Sequence, residues 1–294
     1  MLPAAAGTLP SDLAVTAACL GATVVWLMLC ERLHKGKWLS GDSSRKLIHA
    51  SSGPFFLLFW PLYSAAPEAR WLAVSVPMFA LVRIVAAVRG PGKGLAESVS
   101  RSGDVKEALE GPLYYIIVVV LATLVFWRDS PVGIVAIIQL AIGDCAASIV
   151  GSSVSRFLRA RAPSSPSAPS ASSPDPASAG LRWPHNPAKS VIGSAAFVAA
   201  AAVVSAVYLT GFAAMGEGGG YVPDVESVRW WARMLAVSVA AALIETVRHE
   251  GAVGMRCGLW FDCFFCNGMR AQVPIGNDNF TIPLTAAVAS FLLL

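Results

Sequence analysis

The stretch "GIVAIIQLAIGDCAASIVGS", residues 133–152, would be a plain membrane-spanning segment but for Asp144. A carboxylate at mid-bilayer costs about 2.5 to 3.5 kcal/mol on insertion scales, so its position points to function and calls for partners. Three other stretches offer them. "SSRKLIHASSG" sets Arg45, Lys46 and His49 before an apolar run, and Arg45 and His49, four apart, share a helix face. "NPAKSVIGS" sets Asn186, Lys189 and Ser190 at the start of another, with Pro187 suited to a first helical turn. Free N–H groups at a helix start, joined by an ammonium, suit a phosphate; capping accounts equally well for Asn186 and Ser190. "PIGNDNFTIPL" sets Asn277, Asp278 and Asn279 before the last apolar run. Those side chains can cap a helix or hold Mg²⁺, which favours one or two carboxylates completed by substrate phosphates. Glu245 is a further acid at membrane depth, and Glu110 precedes a Gly-Pro helix start.

Acids, a lysine, a helix N-terminus and a basic rim on one membrane face describe phosphoryl transfer to a lipid. That chemistry consists chiefly of positioning and charge neutralisation. Neither a Walker motif nor a protein-kinase glycine loop occurs in the chain. A transporter is the competing class, with the acids lining an ion or substrate path.

The elements that must position these residues are membrane helices. With 55% hydrophobic and 14% charged residues among 294, the composition excludes an ordinary soluble domain. Apolar stretches at about 13–31, 48–64, 71–88, 113–127, 131–151, 190–212, 230–247 and 281–294 predict an all-α polytopic bundle of seven to eight transmembrane helices. Basic residues gather in the loops after the first, third and fifth spans, which places those loops together on the cytosolic or stromal face. The net charge of +4 lies in loops and implies no nucleic-acid partner. No basic leader precedes Arg32, so neither a signal nor a transit peptide is visible. The chain divides into N-terminal helices (1–158), a Pro/Ser-rich linker read as disordered (159–187) and C-terminal helices (188–294). Within the last, a Cys-rich insert at about 249–272 holds His249, Cys257, Cys263 and Cys266 in a spacing that matches no zinc module.

The chain resembles the plant phytol and farnesol kinases, relatives of the CTP-using dolichol kinases. The resemblance rests on "RKLIHASSGPFFLLFWPLYS", "GPLYYIIVVV", "VFWRDSPVGIVAI", "GDCAASIVG", "NPAKSVIGS" and "NDNFTIPLTAAVASFLL", in the family's order from Arg45 to Leu294. It implies a multipass enzyme of the chloroplast (plastid) membrane, with an endomembrane as the other possibility. Such an enzyme moves a phosphoryl group from CTP to an isoprenoid alcohol and so feeds tocopherol synthesis or isoprenoid salvage. The implied catalytic residues are Asp144, Lys189 and His49, with His49 as the base for the alcohol. Arg45, Lys46, Asn186 and Ser190 match nucleotide and phosphate positions, and Asp144, Asp278 and Asn279 match positions for Mg²⁺. The implied partners are a nucleoside triphosphate, a membrane-embedded prenyl alcohol and the bilayer itself. The chain departs from the family's pattern at Ser148, where a second aspartate is usual, at Ser152 and Ser153, where arginine is usual, and at Asn277. An impaired paralogue that binds isoprenoid is the alternative those positions imply.

Overall fold

A computed structural model describes residues 9–89, 105–161, 182–216, 221–247 and 278–294. Each apolar stretch of the sequence falls on a helix. They are α1 (Leu9–Lys35), α2 (Gly41–Leu57), α3 (Ala69–Arg89), α4 (Val105–Val125), α5 (Pro131–Ile138), α6 (Asp144–Arg161), α7 (Val191–Ala214), α8 (Val228–Thr246) and α9 (Asp278–Leu293). One π turn, Gln139–Gly143, joins α5 to α6 without a break, so the two form one long helix. Among the described residues, four helical segments are long and apolar enough to cross a membrane: Ser11–Lys35, Ala69–Ala86, Pro131–Leu158 and Val191–Ala214. Pro112–Val125 and Thr281–Leu293 are shorter apolar helices.

Local signals account for the helix starts. Ser40 caps α2 by accepting from Ser43 N–H, and Ser130 caps α5 by accepting from Val132 N–H, with Pro131 in the first turn. α5 is apolar all round and buried from Val132 to Ile138, as a helix at the centre of a bundle must be. The α5–π segment is the hub, packed against α2, α4, α7 and α9. α8 packs on α9 and α7, while α1 and α3 form an outer layer with α2 and α4.

At the end of the bundle where α1 begins, a polar clamp closes the structure. Asp12, 3% exposed, accepts from Ser64 N–H at 2.7 Å and from Ser64 Oγ at 2.6 Å. The Thr16 and Tyr63 hydroxyls meet at 3.2 Å, and the buried Arg128 guanidinium donates to the Tyr63 carbonyl.

Two sequence expectations need correction. The linker drawn over 159–187 overlaps ordered structure at both ends, because α6 continues to Arg161 and a hairpin begins at Arg182. Its strands, β1 (Arg182–Trp183) and β2 (Asn186–Ser190), pair antiparallel. Pro187 therefore stands in a strand, and α7 begins only after Ser190, which caps it by accepting from Gly193 N–H at 3.0 Å. Residues 162–181 and the Cys-rich insert lie outside the described residues.

Candidate active site at the basic face

α2 delivers His49 to the junction of α5 and α6. A π turn interrupts the i to i−4 ladder, and such turns recur at functional sites. Here the carbonyl of Leu140, within the turn, faces His49 Nε2 at 3.2 Å. Asp144 Oδ2, on the first residue of α6, lies 3.5 Å from the same nitrogen. A carbonyl oxygen only accepts, so Nε2 carries a hydrogen, and when the ring is neutral its lone pair is on Nδ1. Tyr115 packs against the imidazole with ring centres 4.7 Å apart, and its hydroxyl accepts from Gly53 N–H at 2.7 Å. Cys145 Sγ, reaching the Lys46 carbonyl at 3.6 Å, ties the same two helices nearer the basic face. The His49 and Asp144 side chains remain 20% and 30% exposed, so the pair can be approached.

Glycines set the spacing around this junction. A Cβ on Gly143 would stand 2.5 Å from the Phe197 ring of α7. Further along, a Cβ on Gly151 would meet Ser190 Oγ at 2.9 Å, and one on Gly193 would meet the Ala147 carbonyl at 3.0 Å. Small residues here let α6 and α7 approach closely, as membrane helix pairs commonly do. The contact brings β2 alongside the helix that carries Asp144, about 10 Å further along its axis given a 1.5 Å rise per residue.

The basic rim is balanced by acids. Asp42 holds Arg45 at 3.2 Å and Lys46 at 2.7 Å, and hydrogen bonding from Lys46 first, then Arg45, keeps its carboxyl below the usual range. Lys189 Nζ bonds Glu245 Oε1 at 2.6 Å. Asn186 is buried and committed, its Nδ2 donating to the Thr246 carbonyl at 3.1 Å and its Oδ1 accepting from Ala188 N–H at 3.2 Å. The structure thus brings together His49 and Asp144, joins Lys189 to Glu245, and gives Asn186 and Ser190 structural bonds. Asp278 and Asn279 open α9, and their side chains lie outside what is described.

Sequence reasoning missed Tyr115, the Leu140 carbonyl and Thr246, and it named Glu245 without its partner. A tyrosine pair in "GPLYY" and an acid in the last turn of an apolar helix were the available signals. A π turn leaves no comparable mark.

An all-α bundle of membrane type that carries a carboxylate beside an imidazole between its helices defines the class of helical membrane proteins with a polar site inside the bundle. Comparison with known proteins narrows that class. "Probable phytol kinase, chloroplastic" of Triticum aestivum is 30% identical over 309 aligned residues, covering 99% of this chain and 85% of that protein. "Probable phytol kinase 2, chloroplastic" of Oryza sativa subsp. japonica is 33% identical, with 99% and 79% covered. "Farnesol kinase, chloroplastic" of Arabidopsis thaliana is 31% identical, with 85% and 64% covered. The chain belongs to the phytol and farnesol kinase family. No protein-family profile matches it. No solved structure matches it either.

Proposed function

We propose that this protein is a prenyl alcohol kinase that transfers the terminal phosphoryl group of CTP to phytol, farnesol or geranylgeraniol in a chloroplast membrane. The observation that carries this reading is the similarity, over nearly the whole chain, to proteins named phytol kinase. The His49–Asp144 pair supports it at the level of chemistry. With Nε2–H held by the Leu140 carbonyl and the carboxylate 3.5 Å away, Nδ1 is the ring atom that accepts the alcohol proton. Asp144 then stabilises the imidazolium. Arg45, Lys46 and Lys189 line the basic face as phosphate contacts, and the alcohol's hydrocarbon stays in the bilayer.

Kinases of this kind use Mg²⁺, whose chemistry is to neutralise charge on the phosphates. The residues fit it. Asp144 keeps a carboxylate that is 30% exposed. One carboxylate completed by substrate phosphates is the ligand set this ion prefers. Asp144 would hold it; the resemblance implies Asp278 and Asn279, which open α9, as further ligands.

The test is prenyl monophosphate formation by membranes carrying the chain, with phytol, farnesol and geranylgeraniol each offered against CTP, ATP and UTP. Product with CTP above the other donors supports the reading, and product with none of the nine pairs contradicts it. Ser148, Ser152 and Ser153 favour a second reading, an impaired kinase that retains isoprenoid binding. On that reading, the triple variant Ser148→Asp, Ser152→Arg, Ser153→Arg gains activity from a silent parent.

A further inference from the structure

The last turn of α8 carries two buried polar residues that the phosphoryl-transfer reading leaves without a role. Glu245 is 3% exposed and Thr246 1%. Glu245 Oε1 receives Lys189 Nζ at 2.6 Å. The Thr246 hydroxyl donates to the Leu243 carbonyl at 2.7 Å, so toward His185 Nε2, at 3.0 Å, it accepts. The Thr246 carbonyl is among the last four of its helix and has no intrahelical partner, and Asn186 Nδ2 satisfies it at 3.1 Å. Three side chains of one hairpin therefore converge on two neighbouring residues of one helix end. Within the hairpin, the Asn186 Oδ1 bond to Ala188 N–H fixes the bend just before Lys189.

Lysine is a point charge on a flexible four-carbon stem, and it orients a phosphate well only when the stem is held. We infer that Glu245 and Thr246 are positioning residues for nucleotide binding: they anchor the β1–β2 hairpin to α8 and hold the Lys189 ammonium in one place for a nucleotide phosphate. Glu245 acts through a charge-assisted bond, and Thr246 through the backbone of the hairpin. Because Glu245 is buried, its pair with Lys189 is unlike a solvated surface pair, which holds geometry weakly. The inference rests on Lys189 contacting the nucleotide phosphates.

The full chain in lipid nanodiscs is assayed for nucleotide KM, prenyl alcohol KM and hydrogen exchange across residues 182–194. Glu245→Gln raises the nucleotide KM by about tenfold with the alcohol KM unchanged, the signature of lost donor binding. Glu245→Asp recovers part of that loss. In a Lys189→Met background, Glu245→Gln adds no further change, because its effect passes through the lysine. Thr246→Val speeds exchange of the hairpin amides by about tenfold. A full additional effect of Glu245→Gln in the Lys189→Met background overturns the inference, as does hairpin exchange that neither variant alters. If Lys189→Met itself leaves nucleotide KM unchanged, the phosphate reading of Lys189 fails; the exchange data still decide whether α8 holds the hairpin.

Discussion

Gly143→Ala is the sharpest structural test of the junction. The added Cβ would lie 2.5 Å from one Phe197 ring carbon and 2.7 Å from two others. Non-bonded carbons settle at about 3.5–4.0 Å, so the ring or α6 has to retreat by roughly 1 Å. Phe197 is fully buried in the core. Overpacking of this kind costs about 1 to 3 kcal/mol. The displaced helix carries Asp144 on the next residue, and a misplacement of about 1 Å near the reacting groups costs on the order of 100-fold in rate. Thermal unfolding in detergent reads the first quantity, and prenyl monophosphate formation per folded molecule reads the second. Phe197→Leu in the same chain makes room for the methyl group and restores most of both. A Gly143→Ala protein with unchanged unfolding and turnover would refute the claim that this contact sets the α6 position, and so would a double variant no better than the single.

Three further outcomes follow from the hydrogen bonds. Tyr115→Phe removes the acceptor of Gly53 N–H and lowers stability by about 1 kcal/mol, while loosening the ring against His49; unfolding and the rate measured together check it. Asp12→Asn breaks the clamp to Ser64 at the other end of the bundle and costs about 1.5 to 3 kcal/mol, with turnover per folded molecule unchanged. Asp42 titrates below its usual value because of Lys46 and Arg45, so its contribution is complete above an ordinary carboxylate pKa of about 3.9 and disappears as the pH falls through the lower folded value. Asp42→Asn therefore flattens the acid limb of a stability–pH curve below about pH 4, a small effect for so exposed a pair.

Much of the bundle was legible because hydropathy alone locates membrane helices, and Asp144 stood out because carboxylates are costly at that depth. His49 was legible as a residue but its pairing was not. The contact runs between α2 and a π turn 91 positions away, and no local spacing encodes it. The hairpin was hidden for another reason. Pro184 and Pro187 and the polar residues around them read as the tail of the Pro/Ser linker, and β1 spans only two residues. Ser190 was legible as a cap, since a short hydroxyl before an apolar run is a local signal. Asn186 was not, because the helix end it satisfies belongs to α8, 60 residues further on. Lys189 and Glu245 show the same limit: each charge was visible and their bond was not.

On the proposed function, His49 accepts the proton of the prenyl alcohol and Asp144 stabilises the imidazolium. The most direct test of these roles is the single-turnover rate of prenyl monophosphate formation by purified protein with labelled CTP, for the wild type, Asp144→Ala and His49→Gln. A wild-type rate that falls by at least about 100-fold in each variant, with the fold intact by unfolding, is the predicted result. Equal rates in all three proteins would contradict it.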